Sequence, residues 1–367
     1  MPKKHYLTDE NSIHRKVKKA YASIGGVWRP YGSGGELEYY GTLEQLSEQW
    51  TDHSATTVGN YALFVGGTHT TNKAFAYNKS LTRIDVDNLI VSRHILAATT
   101  VGNIAVIGGG NTSDGRFESY DSSLTHQIST FASPIKRQGL AATTVGNWAV
   151  FGGGGALGTS ETDRVDYCDG ALTQFNAARV LRSARTQLAA TTVGEHAIFA
   201  GGGGYSKVVD IYDASVTRLD RSDYLRTARR DIGATTVGDF GLFAGGKTSS
   251  SGESKEVDAF SASLTRIDTV EDLSVSRMEL MATSLEEFAI FAGGRDAPST
   301  ANSTKGVDVV DVYDSSLVRK ADVHPLSNGR GKGAATTLGS FAVFVGGLDG
   351  GVGTTSVEPK TVDVYTV

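Results

Sequence analysis

Residues 139–154 read Gly-Leu-Ala-Ala-Thr-Thr-Val-Gly-Asn-Trp-Ala-Val-Phe-Gly-Gly-Gly, which is the pattern of two short strands joined by a tight turn. Gly146 and Asn147 are residue types that readily adopt the positive φ angles expected in such a turn, and the apolar run 149–151 is typical of a strand buried on both faces. Nearly the same stretch occurs seven times, and its paired hydroxyl residues begin at Thr56, Thr99, Thr143, Thr191, Thr235, Thr283 and Thr336. A tandem repeat of about 45 residues indicates units that bury their cores against one another.

Each copy continues into a second pair of strands. In the third copy, residues 164–167 begin a third strand, and Gly170-Ala171 turns the chain into a fourth at residues 172–175. Four antiparallel strands in each of seven units predict an all-β, seven-bladed β-propeller. The last copy lacks a fourth strand, and residues 37–45 resemble one, so we expect an N-terminal strand to close the C-terminal blade.

Composition and charge limit the classes of function. The 367 residues carry a net charge of −5, but residues 1–22 carry six cations against two acids. Because this segment lacks an aromatic stacking run, we interpret residues 1–35 as a basic N-terminal arm or docking segment, and residues 36–367 as the propeller. For the same reason we expect no nucleic-acid partner. No apolar run reaches 18 residues and no apolar segment of a signal peptide follows the N-terminal lysines, so we also expect no membrane span and no secretion signal. The lone Cys168 excludes a disulfide framework.

The repeats resemble the kelch family. The features that carry this resemblance are the Gly-Gly that ends the second strand, the Val-Asp-x-Tyr-Asp that follows, and an Arg six residues ahead of the Thr pair in six copies, with Trp50 in the first. It covers about nine-tenths of the chain and implies a kelch-like propeller. The Trp that kelch units usually carry after the Tyr is replaced here by Ser-Leu-Thr.

A second resemblance lies in the N-terminal segment. Residues 15–21 and 24–30, Arg-Lys-Val-Lys-Lys-Ala-Tyr and Ile-Gly-Gly-Val-Trp-Arg-Pro, are similar to segments of phage and prophage structural proteins of Gram-positive gut bacteria. Some of those proteins run on into the same repeats. The resemblance implies a virion protein, tail-associated and assembled in the host cytoplasm.

Motifs for catalysis are absent from the sequence. Galactose-oxidase-like kelch propellers hold copper with two Tyr and two His beside a Cys–Tyr crosslink, whereas Cys168 follows Tyr167 on a regular third strand and the eight His are scattered. The Gly-rich stretches lack a P-loop Lys. We therefore predict a protein that is not an enzyme and uses no cofactor or metal. The alternative is a carbohydrate-active kelch enzyme, a sugar epimerase or oxidase, which one asymmetric pocket with clustered acids would support.

The candidate ligand-binding residues are the arginines that precede the Thr pairs. We expect them to ring the mouth of the central channel, on the same face as the long loops at 155–164, 247–256, 295–309 and 348–361, and to attract carboxylate or phosphate. The alternative is that each serves its own blade by bonding carbonyls or an Asp. These residues are Arg93, Arg137, Arg185, Arg229, Arg277 and Arg330.

Together these patterns predict a binding or structural module of a virion. The expected partner is a host-surface glycan or an anionic polymer, or other virion proteins. The basic arm could also join copies of the chain into a homo-oligomer. A decoration protein without any ligand is the third alternative.

Overall fold

The computed structural model describes residues 6–8, 14–16, 20–24, 27–31, 35–43, 46–47, 50–68, 72–111, 114–156, 160–173, 175–177, 180–249, 252–296, 305–349 and 360–367. Most of the predicted arm lies outside these ranges. So do residues 157–159, 250–251, 297–304 and 350–359 of the four long loops.

Seven small antiparallel sheets, called blades 1–7 in chain order, surround a central axis. The strands of each blade are given from the axis outward. Blades 1–3 consist of Ser54–Val58, Tyr61–Val65, Ala74–Asn78 and Arg83–Asp85; Leu96–Val101, Ile104–Gly109, Arg116–Asp121 and His126–Ala132; and Ala141–Val145, Trp148–Gly152, Val165–Cys168 and Phe175–Ala177. Blades 4–7 consist of Ala189–Val193, His196–Ala200, Val208–Tyr212 and Asp223–Tyr224; Gly233–Val237, Phe240–Ala244, Val257–Ser261 and Arg266–Ile267; Met281–Leu285, Phe288–Ala292 and Val310–Asp314; and Ala334–Leu338, Phe341–Val345, Val362–Thr366 and Glu38–Thr42.

The ring is closed by the N-terminal strand. Glu38–Thr42 pairs antiparallel with Val362–Thr366, with Tyr39 opposite Tyr365 and Gly41 opposite Val364. The inner strand of blade 7 in turn lies beside that of blade 1. This confirms the prediction of an all-β, seven-bladed propeller closed by an N-terminal strand, whereas the domain boundary at residue 36 stays a prediction.

Blade 6 departs from the four-strand pattern. Its third strand is followed by a single bridge, Tyr313 to Arg319, and by a hydrogen bond from the Lys320 N–H to the Val312 carbonyl of 2.8 Å. Asp322 then adopts a φ of 58°, in the left-handed region, and the chain leaves the sheet. The outer strand of blade 6 is therefore reduced to one pairing.

The hydrophobic core is divided into clusters that lie between blades. One cluster joins Phe64 and Phe75 of blade 1 to Val343 and Val364 of blade 7. Corresponding clusters fill the other six junctions between neighbouring blades. Since the apolar surface of a blade is covered by its neighbours, a single blade has no complete core.

The repeated Thr pair joins neighbouring inner strands through its hydroxyl groups. Thr100 Oγ1 donates to the Thr57 carbonyl oxygen at 2.6 Å and lies 2.7 Å from Thr56 Oγ1. Because its only proton is used by the carbonyl, Thr56 is the donor of the second bond. The same bond to a carbonyl is made by Thr57, Thr144, Thr192, Thr236 and Thr337. Repetition of Thr therefore has a structural cause.

Short pairings lie outside the blades. Three join segments near the loops: Arg137–Gln138 with Gly155–Ala156, Lys247–Ser249 with Gly252–Glu253, and Arg295–Asp296 with Lys305–Gly306. N-terminal to the closing strand Glu38–Thr42, Tyr6–Thr8 pairs with His14–Lys16, and Ala20–Ile24 pairs with Val27–Tyr31. In the described part of the chain, no helix has the length and apolar character to cross a membrane.

Candidate functional site at the axial mouth

The six arginines predicted to bind a ligand are buried inside the blades, with exposed fractions of 0–2%. Each lies against a carboxylate on the third strand of its own blade, and the five Arg–Asp contacts measure 2.5–2.9 Å. The carboxylate partners, in order, are Glu118, Asp166, Asp210, Asp258, Asp311 and Asp363. Burial lowers the pKa of Arg137 to about 10, which leaves it charged at neutral pH.

The backbone of the same arginines joins one blade to the next. The Arg185 carbonyl, at the entry to blade 4, accepts a 2.9 Å hydrogen bond from the Gly154 N–H of blade 3. Gly153 has a φ of 68°, and a Cβ there would lie 2.5 Å from that carbonyl oxygen. The Gly-Gly sequence is therefore required by a turn that admits no side chain.

These contacts correct the expected placement of the arginines. The guanidinium groups lie within the scaffold and not on the surface of the mouth, because each is used by a carboxylate and by backbone carbonyls of its own blade. A ligand could reach one only by breaking a buried ion pair. The geometry is that of the alternative role, in which each arginine serves its blade.

Blade 1 replaces this ion pair with an aromatic pair. Trp50 stands where the other blades have Arg, and Phe75 stands where they have the carboxylate. Their rings meet edge to face at 74°, with centroids 4.8 Å apart. The substitution of both partners together shows that an apolar pair fits the same space.

The mouth of the channel is formed by the residue two positions after each arginine, or after Trp50 in blade 1. Each of these seven residues donates its backbone N–H to the carbonyl of its counterpart in the preceding blade, at 2.7–3.1 Å, so the bonds form a closed circle. Their φ angles lie between 54° and 64°. We call this set the mouth ring; it consists of Asp52, Ile95, Gly139, Gln187, Asp231, Glu279 and Lys332.

Positive φ in the mouth ring is unfavourable for most of its members. Only Gly139 adopts this conformation without strain, and a β-branched residue such as Ile95 is rarely found there. Such backbone strain costs roughly 1–3 kcal/mol per residue and is concentrated at functional sites in proteins. The circle of hydrogen bonds holds the backbone while leaving the side chains free to differ.

The mouth ring and the residue after each member line a pocket of about 250 Å³ on the axis. One side of the pocket is polar, because it is formed by Gln187, Asp231, Glu279, Lys332 and Asp52 of blades 4–7 and 1. The other side, at blades 2 and 3, presents Ile95 and Gly139. A backbone arrangement that is repeated in all seven blades thus carries an asymmetric set of side chains.

Charges on the polar side are held by a network of ion pairs. Lys332 Nζ lies 3.6 Å from Asp52 Oδ1 and 3.7 Å from Glu279 Oε1. The second oxygen of Glu279 accepts a hydrogen bond from Arg295 Nη1 at 3.0 Å. The side chain of Arg295 is 9% exposed, so the Glu279 carboxylate is also held by a buried cation.

Asp231 is the carboxylate whose protonation is most perturbed in the pocket. Burial, and then the negative charge of Glu279, raise its pKa to about 6. Arg230 lies 3.5 Å from Asp231 through Nε and bonds Gln187 Oε1 at 3.0 Å through Nη1. The ring of Tyr205 stacks near this guanidinium, with its centroid 5.1 Å from Arg230 Cζ. A perturbed acid in a cleft is a frequent property of functional sites.

Replacing Asp231 by asparagine should raise stability above pH 6 and not at low pH. Because the pKa of Asp231 is raised in the folded state, proton binding to this carboxylate stabilises the folded protein, and this contribution is fully present below the ordinary pKa of 3.8. It is lost as the pH rises through about 6. We expect the free energy of unfolding of Asp231→Asn, relative to wild type, to be about 3 kcal/mol greater at pH 8 than at pH 3.5. Urea unfolding at both pH values measures this. A difference independent of pH would show that Asp231 titrates normally.

The long loops begin beside the mouth ring. Backbone pairs join Lys247 to Arg230, Arg295 to Met278, and Leu348 to Gly331, and each of these partners directly precedes a member of the mouth ring. The described ends of the loops therefore lie on the face expected for them. The remainder of the four loops, predicted to rise beside a ligand, lies outside the described residues.

The mouth ring was missed in the sequence, although a signal is present there. The position four residues before each Thr pair is not conserved among the seven copies, where it is occupied by six different residue types. The arginines were predicted as the binding site because they recur, but a recurring residue serves a need that the blades have in common. Variation inside a constant frame marks what the blades do not share.

Other chemistry considered in the sequence lies away from this pocket. Cys168 is buried in blade 3, where burial raises the pKa of its thiol to about 12. Among the described residues, no group of three His, Cys, Asp or Glu side chains is arranged to hold a metal ion.

Comparison with known proteins gives a match at the level of the fold. No protein-family model and no curated protein sequence matches the chain. A solved structure, described as "Structure of YjhT", superposes with a TM-score of 0.57 at 10% sequence identity, covering 89% of this chain and 99% of that one. At this identity the similarity shows that the two chains share the propeller fold.

Proposed function

We propose that this protein is a non-enzymatic binding module that takes a glycan into the axial pocket. The observation that carries this proposal is the mouth ring, in which a closed circle of backbone bonds presents different side chains around one asymmetric pocket. A rigid scaffold that varies only at its mouth is suited to recognition.

The division of the pocket matches the chemistry of a sugar. Carboxylate, amide and ammonium groups on the polar side can accept from and donate to several hydroxyl groups at once. The apolar side at Ile95, with the leucines below it, can cover the C–H face of a pyranose ring. Tyr205 and Arg230 add a stacked pair near the polar side.

An anionic polymer is a weaker candidate than a neutral glycan. The expectation of an anionic ligand depended on exposed arginines, and these are buried in ion pairs. At the mouth, Asp52, Asp231 and Glu279 would repel a phosphate or carboxylate. Lys332 is already shared between two of these acids.

Binding of a panel of hexose and N-acetylhexosamine methyl glycosides tests the proposal. We expect at least one to bind, and Glu279→Gln to weaken its affinity about 10-fold through the loss of a charged acceptor. The matched control is Glu195→Gln, an exposed residue in the turn at the far end of a blade 4 inner strand. Isothermal titration calorimetry measures all three proteins. Absence of binding, or equal effects of the two variants, would contradict an axial glycan site.

Asp231 supports a second candidate, a carbohydrate-active enzyme. One asymmetric pocket with clustered acids was the feature expected of such an enzyme, and a carboxylate with a pKa of about 6 is suited to acid–base catalysis near neutral pH. The same glycoside panel, examined for chemical change instead of heat, separates the two functions. Turnover that Asp231→Asn abolishes would favour the enzyme.

The virion location is a separate proposal, supported by the resemblance of residues 15–30 to phage and prophage structural proteins. In that setting the glycan would belong to the surface of the host cell. Antibody labelling of released particles, viewed by electron microscopy, tests the location. Labelling confined to the unassembled fraction would contradict it.

A further inference from the structure

A second pocket lies on the face of the propeller opposite the mouth ring, where blades 6 and 7 meet. Its volume is about 420 Å³, larger than that of the axial pocket. Its walls include residues 35–37 before the closing strand, residues 320–323 after the third strand of blade 6, and residues 287–288 at the turn between the first two strands of that blade. We call this cavity the junction pocket.

The pocket exists because the ring is closed there without a turn. At other junctions, the turn between the first two strands of one blade packs against the turn between the last two strands of the next. A Cβ at Gly146 of blade 3 would lie 3.3 Å from Ala214 Cβ of blade 4. A Cβ at Gly238 of blade 5 would lie 3.3 Å from Ser315 Cβ of blade 6. Blade 7 has no such turn, since its third strand and its closing strand come from opposite ends of the sequence.

The turn of blade 6 beside this gap differs in sequence from its counterparts. Its first residue is Glu286, with a φ of 52°, where the six other blades have glycine. That left-handed conformation favours glycine, so the acid is kept at a cost in backbone strain. The next residue, Glu287, is exposed, and its Oε1 lies 3.8 Å from the place of a Cβ on Gly35. The Glu287 carboxylate therefore lies beside the segment that leads into the closing strand.

Carboxylates outnumber cations around the junction pocket. Lys320 Nζ is paired with Asp314 Oδ2 at 2.6 Å, so these two charges offset each other. Three further acids line the pocket, all of them exposed, and none makes an ion pair among the described residues: Glu36, Glu287 and Asp322. A cation that entered the pocket would be attracted by all three, whereas an anion would be repelled.

Apolar side chains form another part of the pocket wall. Leu37 and Val323 are half-buried and pack against the core between blades 6 and 7. Both retain exposed surface, which an aliphatic chain could cover. Lysine and arginine combine the two properties that this wall and these acids require, since each has an apolar stem that ends in a cation.

We propose that the junction pocket binds a lysine or arginine side chain presented by a partner polypeptide. The stem packs on Leu37 and Val323, and the cation lies among the carboxylates of Glu36, Glu287 and Asp322. This inference does not depend on the glycan-binding function. A partner held at this pocket would occupy one face of the propeller and leave the axial mouth, on the other face, free for its own ligand.

The test uses the full chain and three probe peptides. These are acetyl-Gly-Lys-Gly amide, its arginine counterpart, and its norleucine counterpart, which keeps an aliphatic stem without the charge. NMR follows the backbone N–H signals of residues 35–37 and 321–323 during titration. We expect the lysine or the arginine peptide to shift these signals in a saturable manner, and the norleucine peptide to bind at least about 10-fold more weakly.

Two variants relate this binding to the pocket. The double variant Glu36→Gln with Glu287→Gln should weaken the basic peptide about 10-fold. The matched control is Glu195→Gln, which removes the acid at the equivalent position of the blade 4 turn. There the turn of blade 5 fills the adjoining space, with Ala262 Cβ 3.3 Å from the place of a Cβ on Gly194. We expect Glu195→Gln to leave the affinity within about twofold.

Four results would overturn the inference. Two of them are failure of both basic peptides to shift the signals, and equal binding of the norleucine peptide. Equal weakening by the double variant and by Glu195→Gln would show general attraction to an acidic surface. The last concerns the basic arm, tested by replacing Arg15, Lys16, Lys18 and Lys19 with glutamine. Binding of the probe that becomes 10-fold tighter in this variant would show that the arm, and not a partner, fills the pocket.

Discussion

Replacing Arg330 by glutamine is expected to destabilise the protein by about 3–5 kcal/mol, because a buried carboxylate would lose its cation. Arg330 Nη1 lies 2.7 Å from Asp363 Oδ2, and both side chains are fully buried. Among the described residues, Arg330 is the only cation paired with Asp363, whose other partners are the hydroxyls of Tyr39 and Ser327 and the Ser327 N–H. Urea unfolding at pH 7 measures the loss.

Two further variants separate the burial of the pair from its charge. Arg221→Gln removes an exposed pair with Asp223 and should cost less than about 1 kcal/mol. The double variant Arg330→Met with Asp363→Leu should be more stable than Arg330→Gln, since the Trp50–Phe75 pair of blade 1 shows an apolar solution at the equivalent place. Equal effects of Arg330→Gln and Arg221→Gln would show that the buried pairs do not support the fold.

Deleting residues 1–45 is expected to leave an unstable or aggregating protein, whereas deleting residues 1–12 should be tolerated. The larger deletion removes the outer strand of blade 7 and exposes the edge of Val362–Thr366. It also removes Tyr40, which is 5% exposed in the core between blades 7 and 1. The smaller deletion removes no residue of the propeller sheets.

Thermal unfolding and size-exclusion chromatography of the two truncated proteins provide the measurement. The 1–45 deletion should elute as aggregates or unfold at a much lower temperature than wild type. The 1–12 deletion should match wild type in both properties. Equal stability of the two would show that the ring does not depend on its N-terminal strand.

The sequence by itself determined the architecture, because the features that build a blade recur in every blade. The Thr pair, the Gly-Gly stop and the alternation of strands and turns depend on local chemistry, which a repeated pattern states seven times. The closing strand at residues 38–42 was also predictable, since the last copy lacks the outer strand that these residues resemble. The sequence did not predict that the outer strand of blade 6 is reduced to the Tyr313–Arg319 bridge.

Only the tertiary structure decided where the arginines lie and where a ligand could bind. The sequence places Arg185 ahead of an inner strand, but the distance to Asp210, 25 residues later, depends on how the third strand stacks against the second. Likewise, Asp52 and Lys332 are 280 residues apart and meet because seven blades close into a ring, which brings one residue of each to the axis. Burial and charge at that axis belong to the closed ring, so the raised pKa of Asp231 could not be obtained from any single repeat.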